Sequence, residues 1–416
     1  MAVTRGGWSE PRGARLLQDD EVWADELQLT TGQHDTVALI ASTDRGQLVA
    51  SVLTAEDQWG ASFRVPGHTT RASSTAVLPD GRLLAAWIAP SEGQPSEKVM
   101  AAVSSVAGVE WGTPIFLSNL VGVVIDLKVA VTAIGRVAAV WAIKMELTDS
   151  GSKSDHYALQ SSTLEVGASR WSTPVDISAR SDEFVGAHRL IAGNSDFALS
   201  WGGHHDGNVS TLASGSDMWT RDLISQSGNS QVSIAAGPTR RLIALWDDSD
   251  SSQMQRIFPS TLKWSSLGPD GRRWEPAARS RPASYVGEHT PLTVTPLGDI
   301  VRLEQSPYGV HALVLEAGSS EWQSSVRLTK SDPRQICIAA SPTGAVAVAW
   351  QERGEVWAAT YSWATEWTTP VHLATGRVVD LIATASGRFV LGWIESDQAY
   401  VSIRDQSLVS AAQSQC

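Results

Sequence analysis

WTTPVHLATGRVVDLIATASGRFVLGW, residues 367–393, decides the reading of this chain. It predicts three short strands: Thr369–Leu373 after a leading Trp367, then Val378–Ala383, a Ser386-Gly387 turn, and Arg388–Trp393. The same sentence recurs with changes. WGTPIFL begins at Trp111 and closes with GRVAAVW at Trp141, and WSTPVDIS begins at Trp171 and closes with DFALSW at Trp201. A period near fifty residues built of short strands is the signature of a radial array of sheets, because no single unit can bury its own faces.

The Trp that opens the "W-x-x-P" strand falls at Trp8, Trp59, Trp111, Trp171, Trp219, Trp274, Trp322 and Trp367, eight markers spaced 45 to 60 residues apart. Three strands fit between each marker strand and the next Trp. The expected fold is therefore all-β, an eight-bladed β-propeller of four-stranded antiparallel blades. Only three strands remain at the C-terminal end, the last being Ala399–Arg404, and one lone marker strand stands at the start, WSEPRGARLL from Trp8. The N-terminal strand is expected to complete the eighth blade, which removes an exposed sheet edge. The second strands (LLAAW, VAAVW, FALSW, LIALW, VAVAW, FVLGW) are apolar on both faces and so read as sandwiched between neighbouring blades. Residues 90–97, 144–156 and 264–273 are rich in Ser, Gly and Pro and read as surface loops. At 416 residues, length alone allows two or three domains, but the repeat points to one domain over 1–416.

A net charge of −12 with no Lys/Arg run excludes a phosphate backbone as partner, since neutralising phosphates needs clustered cations. No apolar run approaches the ~20 residues of a membrane span. Cys337 and Cys416 make no disulfide framework, and MAVTRGGWSEP shows no basic segment followed by an apolar one, so a cytoplasmic location is expected. No metal or cofactor motif is present, and none is expected to be bound.

The marker repeat resembles the sialidase-like, Asp-box propellers, whose blades place Ser-x-Asp-x-Gly-x-x-Trp before the fourth strand. Gly268-Pro269-Asp270-Gly271-Arg272-Arg273-Trp274 is the nearest match, with the Asp one place late; Ser216-Asp217-Met218-Trp219 and Glu56-Asp57-Gln58-Trp59 keep fragments. Phe63-Arg64-Val65-Pro66 is similar to the element that supplies those glycosidases with a substrate-carboxylate arginine. The same columns elsewhere read IFLS, VDIS and VHLA, so an ordinary fourth strand explains it more simply. Sialidase chemistry would need further arginines and a Tyr–Glu nucleophile pair, and no tyrosine here sits convincingly beside a Glu. Sialidase activity is not expected. Eight-bladed quinone-dependent dehydrogenases also carry Trp-rich repeats, but their docking pattern and adjacent cysteines are absent.

His204-His205-Asp206 carries imidazoles and a carboxylate, yet consecutive residues rarely aim at one ion, and a solvated loop explains them better. More informative is a set of polar residues where inner strands begin, at positions otherwise lining the axis: Arg71, Asp126, Lys128, His188, Gln231, His289, Gln335 and Asp380. The ends of second strands add Glu304, where most blades have Trp, together with Asp247, Glu352 and Glu395. Acids, imidazoles and cations converging beside Trp make a small-organic-molecule site; a water-filled polar channel is the plainer alternative. Asp126, His188, His289 and Glu304 are the expected proton-transfer groups, and Arg71, Lys128, Gln231, Gln335, Asp380 and Glu352 the expected substrate-binding ones. Crowded carboxylates there are expected to have raised pKa values. The functional expectation is a cofactor-independent enzyme of cyclase, isomerase or lyase type. A glycan- or protein-binding propeller is the alternative. The sequence is silent on oligomeric state.

Overall fold

A computed structural model describes residues 3–405 except 6, 15–26, 33, 44–45, 54–58, 61, 70–71, 92–95, 106–109, 119–121, 150–151, 179–185, 203–206, 226–231, 237–241, 248–259, 268–277, 284–290, 307–308, 320, 332 and 397. Among the described residues every regular element is a strand, and no helix is long and apolar enough to cross a membrane. The strands form eight antiparallel sheets, the blades of a β-propeller. Blade 1 is built of Leu27–Thr31, Val37–Ser42, Gln47–Leu53 and Phe63–His68 from inner to outer strand, and each later blade repeats this up-and-down order.

The chain divides into two compact units. One, made of Met1–Asp44, Val49–Arg64 and Thr290–Cys416, holds blades 6, 7 and 8 and the body of blade 1; the other, Arg45–Leu48 with Val65–His289, holds blades 2 to 5.

In the first unit the eighth blade has Arg377–Ala383, Phe389–Glu395 and Gln398–Arg404, completed by the N-terminal Trp8–Ser9 and Arg12–Ala14. Trp8 pairs with Arg404, and Arg12–Ala14 with Ala399–Val401, as the strand count required. Ser9 latches the join: its Oγ accepts from Ile403 N (3.0 Å), and its carbonyl accepts from Ser402 Oγ (2.7 Å). Trp8 itself is buried among Ala347, Ala349, Phe389 and Trp393, between blades 7 and 8. The turns between first and second strands are tight. Gly344 and Gly387 both hold φ of 92°, a left-handed conformation that costs glycine little.

In the second unit the second strands Leu83–Pro90, Val137–Asp149, Phe197–Gly202 and Leu242–Asp247 form the middle of each sandwich. Trp141 packs with Ile88, Val99 and Val124 between blades 2 and 3, and Trp246 with Ala198, Val209 and Val232 between blades 4 and 5. Apolarity on both faces is the consequence of having a neighbouring sheet on each side.

Two expectations are corrected. Residues 264–266, at the head of the 264–273 stretch, are not loop but the end of the strand Ser260–Ser266, with Trp264 paired to Leu245. Residues 144–156 are not a loop: Val137–Asp149 and Ser152–Leu164 pair along thirteen positions, from Val137↔Leu164 to Asp149↔Ser152. The ladder already running through blade 3 extends into this polar stretch, and Lys144 Nζ–Asp155 Oδ2 (2.7 Å) closes a charged pair on it. Each added pair needs only one more turn of the same hydrogen-bonded register, which polar side chains do not prevent.

Candidate functional site

The inner strands begin with a shared irregularity. In blade 3 the register slips between Val124 and Asp126, and in blade 4 between Ala187 and Arg189. Blade 7 slips between Arg334 and Ile336, and blade 8 between Val378 and Asp380. Each slip is a β-bulge, which re-aims side chains and is concentrated beside functional sites. The bulges fall where the sequence placed its polar residues: Asp126, His188, Gln335 and Asp380 occupy or adjoin them. Gln335 takes φ of 47°, an uncommon left-handed conformation for a residue with a side chain.

In the second unit Asp126 stands just past the blade 3 bulge. Its Oδ1 accepts from Leu127 N (2.8 Å) and from Lys128 Nζ (2.8 Å). The two side chains are 24% and 39% exposed, so the pair faces solvent with part of its surface. Asp126 Oδ2 has no hydrogen bond among the described residues. His188 is the bulged residue of Gly186–Ala192. Arg71, Gln231, His289, His204-His205-Asp206 and the segment Gly268-Pro269-Asp270-Gly271-Arg272-Arg273-Trp274 lie outside the described residues.

In the first unit the inner strands Arg334–Ala340 and Arg377–Ala383 run side by side. Asp380 repeats the motif of Asp126: its Oδ1 accepts from the next amide, Leu381 N (2.8 Å). Its Oδ2 is also engaged, by Leu29 N of blade 1 (3.3 Å), so this carboxylate ties two blades together. Cys337 lies close enough to feel Asp380; burial pushes its thiol up to about 12, and the carboxylate charge adds to the shift.

Glu352 does not follow the raised-pKa expectation. Burial does pull its carboxyl upward, but hydrogen bonds from the hydroxyls of Ser331 and Thr329 outweigh it and hold the group below its ordinary value. Thr329 Oγ1 donates to Glu352 Oε2 at 2.6 Å. The contact fastens the connection entering blade 7 to the end of that blade's second strand. Equivalent fasteners are Gln305 Nε2 to Pro333 O (2.8 Å) and Thr375 Oγ1 to Glu395. Glu304 is engaged differently, by Nη2 of Arg302, two residues back on the same face of its strand.

Of the acids singled out in the sequence, Asp126, Asp380, Glu352 and Glu395 all bind the protein's own backbone amides or hydroxyls. Sequence reasoning passed over Arg302 and Arg136, both 1% exposed. The signal for the first was visible: an arginine at the column filled by Ala85, Ala139, Leu199 and Val348 in other blades. Phe63–His68 is the outer strand of blade 1 with Arg64 exposed, the simpler of the two explanations.

No family model matches this chain, and no curated protein matches it in sequence. Solved structures do resemble it. The Dos1 propeller superposes with a TM-score of 0.57 at 8% identity, over 96% of this chain and 94% of that one. The BP39L lectin from Burkholderia pseudomallei gives 0.50 at 12% identity, over 85% of this chain and 100% of the lectin. The Hadza microbial sialidase Hz136 gives 0.38 at 13% identity, over 74% and 71% of the two chains, too loose a match to carry an argument. At these identities the likeness is one of fold, a β-propeller.

Proposed function

We propose that this protein binds a small organic molecule at the bulged inner-strand end of blade 3, with the Asp126–Lys128 pair as the principal recognition element. The observation that carries this reading is the state of Asp126. Its analogue Asp380 spends both oxygens on backbone amides, whereas Asp126 Oδ2 accepts no hydrogen bond among the described residues, at a partly solvated bulge with a lysine ammonium 2.8 Å from Oδ1. An oriented carboxylate with a free oxygen accepts a ligand hydroxyl or moves a proton, and the ammonium anchors a polar or anionic substituent.

If chemistry follows binding, it is acid–base assistance to a bound, positioned molecule: cyclisation, isomerisation or elimination without a cofactor. The bulge supplies the positioning, since it sits on an inner strand hydrogen-bonded along its length to the second strand. The test is thermal-shift screening with a defined panel of hydroxylated and carboxylated small molecules, repeated on Asp126→Asn and Lys128→Met. Stabilisation by at least one compound, lost in both variants while the unliganded melting point stays unchanged, is the expected result. A ligand bound equally well by both variants would remove the reading.

A further inference from the structure

The blade 3 bulge does more than shift a register. Val124 and Leu127 pack with Ile88 and Val99 on the side of blade 2, whereas Ile125 rests on Val140, Ala142 and Leu199 on the side of blade 4. Asp126 stands opposite Ala142 and Lys128 opposite Val140, so both share the blade 4 side with Ile125. An unbroken strand would alternate its side chains. The extra residue instead puts Ile125 and Asp126 next to each other on one face. All of these residues belong to the compact unit that holds Val65–His289.

The third strand of blade 3 adds an aromatic to that face. Tyr157 packs on the same cluster as Ile125, and both are half-buried. It lies two strands and two residues from Asp126, about 12 Å between Cα atoms, with Ile125 on the Asp126 side of the gap. An apolar patch partly open to solvent therefore adjoins the Asp126–Lys128 pair, whose side chains are 24% and 39% exposed.

Charge narrows the chemistry. Lys144, two residues beyond Ala142 on this face, is bonded to Asp155 at 2.7 Å, and Glu146 follows two residues later. Two lysines thus stand against three carboxylates, so no cationic surplus invites an anion alone, and Lys128 beside Asp126 deters a simple cation. A carboxylate and an ammonium 2.8 Å apart, both partly exposed, complement a molecule that carries the opposite pair. An α-amino acid does so from a single carbon, and its side chain leaves that carbon in a third direction. We propose that the ligand is a free α-amino acid with an apolar or aromatic side chain, an inference that rests on the binding of a small molecule at Asp126 and Lys128. Its ammonium donates to Asp126 Oδ2, its carboxylate accepts from Lys128 Nζ, and its side chain lies on Ile125 and Tyr157. Lysine has three donors and Oδ2 accepts nothing among the described residues, so these bonds form without breaking the existing pair.

The experiment titrates the full chain by calorimetry with L-leucine, L-methionine, L-phenylalanine, L-tyrosine and glycine. Each of the first four is compared with its N-acetyl derivative, which lacks the ammonium, and with its decarboxylated amine. At least one of the four should bind about tenfold or more tighter than glycine and than its own two derivatives. Asp126→Asn and Lys128→Met should each weaken it by about tenfold, and Tyr157→Ala should narrow its advantage over glycine. Ile125→Ala reads the same apolar patch if Tyr157→Ala fails to fold. No binding by any of the four overturns the proposal; a hydroxylated or carboxylated compound still held through Asp126 and Lys128 would then leave the small-molecule reading standing. Amino acids held no better than their acetylated or decarboxylated forms overturn it too. So does an advantage over glycine that is missing, or that both Tyr157→Ala and Ile125→Ala leave intact. An amino acid bound equally well by Asp126→Asn and Lys128→Met sits elsewhere and removes both readings.

Discussion

Replacing Arg136 by Met should loosen blades 3 and 4 together. Arg136 follows the first turn of blade 3, and its guanidinium reaches three partners: Glu165 Oε1 at 2.6 Å, Ala213 O at 2.9 Å and Ser216 O at 2.6 Å. The last two belong to the turn after the third strand of blade 4, so one side chain pins the turns of two adjacent blades. The Glu165 pair is worth little, because that carboxylate is 52% exposed and screened; it contributes at most about 1 kcal/mol. The two carbonyl bonds are charge-assisted, about 1.5–3 kcal/mol each before compensation, but Ala213 is exposed and its carbonyl regains water in the variant. Removing a buried cation also returns part of its desolvation cost. The net loss should be about 2–3 kcal/mol, compared with no more than about 1 kcal/mol for Glu165→Gln. Urea unfolding reads both, and hydrogen exchange should show faster opening at residues 213–218 in the Met variant. An unchanged urea midpoint, or Glu165→Gln as damaging as Arg136→Met, would refute this division between exposed and buried partners.

Trp350→Ala should cost about 3–5 kcal/mol, since the indole is 1% exposed among Leu303, Val310 and Val348; a variant that keeps its melting point would mean the pocket collapses freely. Deleting residues 1–17 removes Trp8, the Ser9 latch and the strands paired with Gln398–Arg404, and should lower the melting temperature markedly; a truncation that melts like the whole chain would contradict the latch. Asp35 and Glu352 both have pKa values below the ordinary ones. In each, burial pulls upward and hydrogen bonds overcome it, from Ser386 and Thr384 at Asp35 and from Ser331 and Thr329 at Glu352. Their stabilisation is fully present above the ordinary carboxylate values and lost as pH falls through the lowered folded values, so Glu352→Gln should flatten the acid limb of a melting-temperature profile. The Cys337 thiol, pushed up to about 12, should resist iodoacetamide at pH 8 until urea unfolds the chain; native labelling at the free-thiol rate would disprove its protection.

Much of this fold is written once per blade, and that is why it was legible. Each second strand must be apolar on both faces to sit between neighbours, so VAVAW or FALSW announces its environment without a partner being known. The lone Trp8 strand and the three-strand remainder at Ala399–Arg404 likewise implied their own pairing. Tertiary structure decided what a repeat cannot encode. A bulge is a one-residue choice of register, and nothing in Val378–Ala383 as a string distinguishes it from an unbroken strand. The polar composition of 144–156 concealed a ladder because pairing there is inherited from the strands beneath. Asp126 and Asp380 looked alike in sequence; only the fold brings Leu29, 351 residues away, to the second oxygen of one of them, while that of the other accepts no hydrogen bond among the described residues. That Nε and Nη1 of the buried Arg302 have no hydrogen-bond partner among the described residues was equally invisible, because whether a buried charge is satisfied depends on every strand that packs around it.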